Sequence, residues 1–98
     1  MKINKTMENS TLHIALEGRL DTTTAPQLEA ELKQSIADNT ELILDFTKLE
    51  YLSSAGLRVL LSAQKMMNKQ GNMVIRGVND LIMEVFEVTG FVDILTIE

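Results

Sequence analysis

Two adjacent serines, Ser53 and Ser54, are the residues best placed to do chemistry, because they come just before a helical pattern. The first N–H groups of a helix have no intrahelical partner, and the helix dipole places partial positive charge there. A serine side chain can cap one of these N–H groups, and a phosphoryl group on it is favoured locally by both effects. Gly56 would let another backbone or a protein partner approach closely. An ordinary N-cap is the simpler interpretation of the spacing alone.

Other catalytic and ligand-binding patterns do not occur in the sequence. The single histidine, His13, lies on a predicted strand, and neither a catalytic triad nor a two-histidine metal site can be assembled around it. There is no cysteine, which excludes disulfides, thiol chemistry and zinc-thiolate sites. Gly18 and Gly56 are isolated, and no Gly-Lys-Ser/Thr phosphate loop is present. We therefore expect a protein that is not an enzyme and holds no metal or cofactor.

Length and charge limit the remaining classes of protein. The 98 residues predict one domain over 1–98, and 45% apolar and 23% charged residues are ordinary for a globular chain. The net charge of −5 disfavours binding to a nucleic-acid backbone. Apolar runs are far shorter than the ~20 residues of a membrane helix, and the first ten residues lack the apolar core of a signal peptide. We expect a cytoplasmic location and no membrane insertion.

Apolar residues with a period of two predict the strands that must position the serines. Residues 3–7 and 12–16 alternate on either side of a short polar stretch, which predicts an antiparallel hairpin. Apolar runs at 42–46 and 73–75 are typical of strands in a parallel sheet, and a loop is predicted at 48–50. A last strand is predicted at 94–97.

Three helical patterns alternate with these strands. They are predicted at 25–37, at about 55–69, and from an N-cap at Asn79 to about Val88. Thr24 and Gln27 have the spacing of a capping box at the first helix. The order β-β-α-β-α-β-α-β predicts an α/β domain with a mixed, mostly parallel β-sheet. With only three helices, we expect them mainly on one face and the other face thinly covered.

An apolar pair accompanies the serines. Leu57 and Leu61 fall on the flank of the predicted second helix, outside its core stripe, and Arg58 lies on the outer face. An exposed apolar pair beside a modifiable serine is suited to protein docking. Packing of the pair beneath a neighbouring loop explains the same pattern equally well.

Four segments carry a resemblance to a known family. They run from Gly18 to Ala25, from Leu42 to Asp45, from Tyr51 to Leu61 and from Val85 to Phe91. Through them, and over nearly its whole length, the chain resembles the STAS domain, which bacterial anti-sigma factor antagonists share with the cytoplasmic tails of sulfate transporters. The resemblance implies a STAS-like single domain.

The resemblance also implies a phosphorylation site. In that family the loop before the second helix usually reads Asp-Ser-Ser/Thr-Gly, and the serine directly after the aspartate is phosphorylated. With Gly56 as the anchor, this serine corresponds to Ser54. Ser53 stands where the family has aspartate, and Ala55 precedes the glycine. Asp21 matches a family aspartate that lies near the phosphorylation site.

The function implied by the resemblance is a charge switch in transcription control. The unmodified protein would bind an anti-sigma factor with serine kinase activity, so that the sigma factor is released. Phosphorylation of Ser54 would end that complex, and a PP2C-type phosphatase would restore it. The partner-binding residues implied are Asp21, Thr22, Thr23, Ser53, Ala55, Gly56, Leu57, Arg58 and Leu61.

Two other functions remain open at this stage. One is a STAS scaffold in a signalling assembly that is not phosphorylated. This alternative is suggested by Ser53, which stands where the family has aspartate. The other is a carrier of a small ligand or lipid on the thinly covered sheet face.

Overall fold

Strands and helices alternate along the chain, and the computed structural model describes all 98 residues. The elements are β1 (Lys2–Glu8), β2 (Thr11–Leu20), α1 (Ala25–Ser35), β3 (Glu41–Leu52), α2 (Ser54–Gln70), β4 (Asn72–Arg76) and α3 (Asp80–Thr89). A single turn of 3₁₀ helix follows at Phe91–Asp93. The α/β class, the hairpin and the three helices predicted from the sequence are confirmed.

The four strands form one mixed sheet in the order β1-β2-β3-β4. β1 pairs antiparallel with β2 through a tight turn in which Asn9 has a φ of 57°, a conformation that asparagine tolerates well. β2 pairs parallel with β3, and β3 pairs parallel with β4. The two crossovers are α1 and α2, as a parallel sheet requires.

β3 is longer than the sequence predicts. The loop predicted at 48–50 is instead part of the second half of β3, because β2 also extends to Leu20 and supplies hydrogen-bonding partners. The register shifts between Ala15 and Glu17 and again between Gly18 and Arg19, so this extension is irregular. It ends with Leu20 opposite Leu52.

All three helices pack on one face of the sheet. The side chains that point to that face from the central strands and β4 are fully or almost fully buried: Leu12, Ile14, Leu16, Leu42, Leu44, Phe46, Met73 and Ile75. They form a single core with the inner residues of the helices. On the other face only Ile43 is buried, and its neighbours in register, His13 and Val74, are partly exposed. The predicted one-sided arrangement is confirmed.

The predicted last strand at 94–97 is wrong as a strand. Ile97 makes one isolated parallel bridge to Ile75. The Ile75 N–H donates to the Thr96 carbonyl at 2.9 Å, and the Glu98 N–H donates to the Ile75 carbonyl at 2.8 Å. Of the apolar residues in this segment, Leu95 is buried in the core while Ile94 is 49% exposed.

The two predicted N-caps have different outcomes. At Asn79 the cap is confirmed: its Oδ1 accepts from the Ile82 N–H at 2.8 Å, and its Nδ2 donates to the Leu49 carbonyl at 3.0 Å. The capping box at Thr24 is wrong, because its hydroxyl donates to the Arg19 carbonyl at 2.8 Å and caps no helix N–H. That hydroxyl ties α1 to the end of β2 instead.

Gly56 permits a close approach between α2 and the sheet. A Cβ atom there would lie 2.7 Å from Leu52 Cδ1 and 2.8 Å from Leu20 Cγ, both closer than real contacts allow. Leu20 is completely buried and Leu52 almost so. The helix therefore rests its first turn directly on the paired ends of β2 and β3.

We predict that Gly56→Ala destabilises the protein by about 1–2 kcal/mol, because overpacking against Leu20 outweighs the gain of about 1 kcal/mol in helix propensity. Urea unfolding followed by circular dichroism measures the change. Ser62→Ala, an exposed substitution on the same helix, is the matched control and should be neutral or slightly stabilising. A Gly56→Ala protein more stable than the wild type would contradict the packing argument.

We predict that Asn79→Ala costs about 1–2 kcal/mol, because it removes the cap of α3 and the hydrogen bond that holds α3 to β3. The same unfolding experiment tests this, with Asn72→Ala at the exposed start of β4 as the control. Equal stability of the two variants would show that the Asn79 side chain contributes nothing to docking of α3.

Candidate functional site

The two serines at the junction of β3 and α2 have different roles. Ser53 is the N-cap: its Oγ accepts from the Gly56 N–H at 3.4 Å, and its own N–H donates to the Leu20 carbonyl at 2.9 Å. Its side chain is only partly exposed. Ser54 is the first residue of α2 and is exposed. Capping therefore occupies Ser53, and Ser54 presents its hydroxyl to solvent.

Strand pairing brings a second loop beside the serines. Leu20 lies opposite Leu52, so the residues that follow, Asp21 and Ser53, leave the same edge of the sheet. The carboxyl ends of neighbouring parallel strands are the usual position for a binding site in α/β proteins. The structure thus places Asp21 and the two serines on adjacent loops.

Asp21 organises its own loop. Its Oδ1 accepts from the Thr23 N–H at 3.0 Å, from the Thr23 hydroxyl at 2.7 Å and from the Thr24 N–H at 3.2 Å. Its Oδ2 lies 3.7 Å from the Arg19 Nε. The carboxylate is thereby held in one orientation at the start of α1.

These hydrogen bonds keep Asp21 ionised. The pKa of Asp21 is lowered below its usual value of 3.8, mainly by the hydrogen bond from the Thr23 hydroxyl. Partial desolvation raises the pKa, but the backbone N–H groups of Thr23 and Thr24 lower it further. A pKa that is lower in the folded chain favours folding above pH 3.8, and this contribution is lost as the pH falls through the folded pKa. At neutral pH the loop carries a full negative charge.

Arg19 and Tyr51 complete the surface, and sequence reasoning missed both as site residues. They lie opposite each other in the irregular part of the β2–β3 pair, and the Arg19 guanidinium carbon is 4.1 Å from the centre of the Tyr51 ring. This distance is typical of a cation–π contact. Only the register reveals the pair, because the two residues are far apart in the sequence.

Two of the predicted partner-binding residues are buried inside the domain. Gly56 packs against Leu20 and Leu52, so the space beside it is filled by the chain itself. Leu57 is 6% exposed and belongs to the core, and Leu61 is partly exposed. The prediction of an exposed Leu57–Leu61 pair is therefore wrong. Because α2 packs against α1 as well as the sheet, its buried face is wider than the predicted stripe.

The other predicted site residues reach the surface. Thr22, Thr23, Ser54 and Arg58 are exposed, and Ala55 is partly exposed. A shallow groove of about 210 Å³ runs between the first turns of α1 and α2. It is lined by Thr22, Ala25, Pro26, Glu29, Ala55, Arg58 and Val59.

Two further findings concern metal ions and membranes. No group of three or more histidine, cysteine, aspartate or glutamate side chains is arranged to hold a metal ion. None of the helices combines the length and the apolar character needed to cross a bilayer. The site therefore consists of hydroxyls, the carboxylates of Asp21 and Glu29, the guanidinium groups of Arg19 and Arg58, and a shallow groove.

Comparison with known proteins agrees with this geometry. BtrV of Bordetella bronchiseptica, provisionally named an anti-sigma factor antagonist, is 36% identical over 99 residues, which cover 99% of this chain and 85% of that protein. The anti-sigma-B factor antagonist of Listeria monocytogenes is 30% identical over 96% of this chain and 84% of its own length.

A solved structure with the same fold is that of SpoIIAA, an anti-sigma factor antagonist of Bacillus. Its unphosphorylated form superposes with a TM-score of 0.78 at 20% identity, over 99% of this chain and 87% of that one. Its phosphorylated form gives a TM-score of 0.77 at 21% identity, over 99% and 91%. The family model described as "Mlab, STAS domain" matches residues 3–96. The chain belongs to the STAS domain family.

Proposed function

We propose that this chain is an anti-sigma factor antagonist, which binds an anti-sigma factor through the surface around Ser54 and releases it when Ser54 is phosphorylated. The observation that carries the proposal is the exposed Ser54 hydroxyl at the first position of α2, beside the ionised Asp21 loop. The names of the relatives from Bordetella and Listeria support the choice of partner.

The choice of Ser54 over Ser53 rests on accessibility. A protein kinase must surround the hydroxyl that it phosphorylates, and the Ser53 side chain is partly buried and engaged with the Gly56 N–H. Removing Ser53 from that position would uncap α2, at a cost of about 1 kcal/mol. The Ser54 side chain takes no part in the N-cap hydrogen bond, so its modification would leave that bond in place. SpoIIAA, which has the same fold, has been solved in an unphosphorylated and a phosphorylated form, and this supports the proposal.

A phosphoryl group on Ser54 changes the charge of the surface. It adds about −1.5 to −2 charges at pH 7. The N-terminus of α2 favours this charge locally, and Arg58, four residues later, projects from the same side of the helix. The phosphate would thus engage Arg58 and stand beside ionised Asp21. A partner that uses Arg58, or that must desolvate this surface, would lose affinity.

The partner implied is an anti-sigma factor with serine kinase activity, and a PP2C-type phosphatase would return the protein to its binding state. The kinase binds ATP and transfers the γ-phosphoryl group of ATP to the Ser54 Oγ. The hydroxyl proton leaves and ADP is released. In this scheme the chain is a substrate and a ligand and catalyses nothing. Its shallow groove of about 210 Å³ would serve as part of the contact surface.

We predict that Ser54→Asp weakens binding to a kinase-type anti-sigma factor from the same genome by more than about tenfold, because the charge enters a desolvated interface. Isothermal titration calorimetry measures the dissociation constant. Ser62→Asp places the same charge on an exposed position of the same helix and should bind like the wild type. Equal affinity of the Ser54→Asp and Ser62→Asp proteins would remove the switch mechanism.

We predict that incubation with the kinase and Mg-ATP adds one phosphoryl group, measured by intact mass. Ser54→Ala should abolish the gain and Ser53→Ala should preserve it, because only Ser54 is freely accessible. Treatment with a PP2C-type phosphatase should restore both the mass and the affinity. A modified Ser54→Ala protein would refute the assignment.

A second candidate function is favoured by one observation. Ser53 occupies the position next to Ser54 where the resembled family has an acidic residue. A scaffold that binds its partner without phosphorylation would retain the exposed surface and give no gain of mass with any kinase. Tight binding together with an unchanged mass would select this function.

The open sheet face gives little support to a lipid carrier. Its larger depression is lined by Thr6, Glu8, Asn9, Thr11, His13 and Ile43. Ile43 is the single apolar residue among them. Lipid sites are lined mainly by apolar side chains, so this surface lacks the expected chemistry.

A further inference from the structure

Helix α3 has apolar residues beside its buried side that the core covers only in part. Ile82 and Phe86 are fully buried against the core. Leu81, Val85 and Val88 have the spacing i, i+4, i+7 along the neighbouring flank. Leu81 is 58% and Val88 80% exposed, while Val85 between them is partly buried and packs against the core. We call these three residues the α3 stripe. Together with Glu84 and Thr89 they line a shallow groove of about 320 Å³.

Exposed apolar residues are concentrated in this part of the chain. Six large apolar side chains are exposed in the whole protein, and four of them lie between residues 81 and 94: Leu81, Val88, Val92 and Ile94. Single exposed apolar residues are normal on a soluble protein, whereas a concentration of them marks an interaction site. The α3 stripe is therefore a candidate contact surface.

The same segment carries the whole net charge of the protein. Residues 77–98 contain five acidic residues and no lysine or arginine, whereas residues 1–76 contain nine acidic and nine basic residues. Glu84 and Glu87 are exposed on α3 itself, and Asp80 and Asp93 are exposed at either end. A partner for the stripe must therefore bring apolar side chains flanked by positive charge.

We propose that the α3 stripe binds an amphipathic helix of another protein, with apolar residues along one face and lysine or arginine on both sides of it. Charge disfavours self-association through this surface and binding to an anionic bilayer. A second copy of the chain, docked by the same surface, would place Glu84 and Glu87 against acidic residues with no base to pair them. An anionic bilayer would be repelled in the same way. An apolar groove on one helix that receives another helix is a common mode of recognition.

This surface is separate from the one around Ser54. The Ser54 surface is built from the ends of β2 and β3 and the first turns of α1 and α2, and the stripe lies entirely on α3. The proposal therefore adds a second partner site to the protein. It holds whether or not Ser54 is phosphorylated.

The probe for the test is a synthetic helix of about 18 residues, roughly five turns, with leucine at i, i+4, i+7 positions and lysine on both flanks. Its control replaces every lysine by glutamate. We expect chemical-shift changes of the ¹⁵N-labelled full chain on α3 and its flanks with the basic peptide alone. We also expect the affinity to fall as salt is raised. Equal binding of the acidic peptide, no binding, or changes that map elsewhere would overturn the proposal.

Variants separate the apolar and charged contributions. Val88→Asn should weaken peptide binding by roughly tenfold through lost apolar contact. Because Val88 is 80% exposed, the fold should be unaffected. The double variant Glu84→Gln, Glu87→Gln should flatten the salt dependence. Met7→Asn, at a residue that is 58% exposed on β1, is the matched control and should bind normally. Equal losses in the Val88 and Met7 variants would overturn the proposal.

Two measurements test the other occupants and the independence of the site. If analytical ultracentrifugation shows that the wild type is a dimer and that Val88→Asn is a monomer, the α3 stripe binds a second copy of the chain. That result would overturn the proposal. If the wild type binds phosphatidylcholine vesicles and Val88→Asn abolishes that binding, the α3 stripe is a membrane contact, and the proposal is overturned. Ser54→Asp should leave peptide affinity unchanged, so failure of the phosphorylation switch and failure of this site can be told apart.

Discussion

At the carboxyl ends of β2 and β3, Leu20 lies opposite Leu52, and the Ser53 N–H donates to the Leu20 carbonyl at 2.9 Å. This bond extends the parallel pairing to the residue that caps α2. It determines where α2 begins, and therefore where Ser54 reaches solvent. The same pairing places Asp21, the residue after Leu20, beside the serines.

Close packing beneath this junction makes its geometry rigid. Gly56 brings the first turn of α2 onto Leu20 and Leu52, and Leu57 enters the core one residue later. Above this apolar layer the exposed groups are hydroxyls and charges, with the Asp21 carboxylate held by the Thr23 hydroxyl and N–H groups. The junction thus combines a closely packed apolar layer with a polar, charged surface above it.

Charge divides the protein into two surfaces of different character. Around Ser54, Asp21 lies beside Arg19, and Arg58 follows on α2, so acids and bases are mixed. On α3 and beyond, acids occur alone and flank exposed leucine and valine. Under the proposed function, a phosphoryl group on Ser54 would change the charge of the mixed surface, whereas the acidic and apolar surface on α3 would keep its charge.

Local patterns were enough to predict much of the fold. The period of two in the hairpin, the helical periods and the Asn79 cap depend on residues close together in the sequence, and the structure contains them all. The second half of β3 was missed because Lys48 and Glu50 resemble a loop, and only the extended β2 beside them makes this segment a strand. The last strand was overpredicted because the apolar residues at 94–97 do not reveal whether a neighbouring strand pairs along their length.

In the candidate site, too, some features follow from the sequence and others only from the tertiary structure. The sequence by itself determined that two serines precede a helix, that no metal or nucleophile pattern accompanies them, and that the motifs resemble those of the STAS family. Only the tertiary structure decided that Ser53 is bound to the end of β2 while Ser54 is exposed, that Leu57 is buried, and that Arg19 contacts Tyr51 across two strands. The physical reason is that burial and pairing depend on which distant segments lie alongside a residue, whereas capping signals and periodicity are carried by its neighbours in the chain.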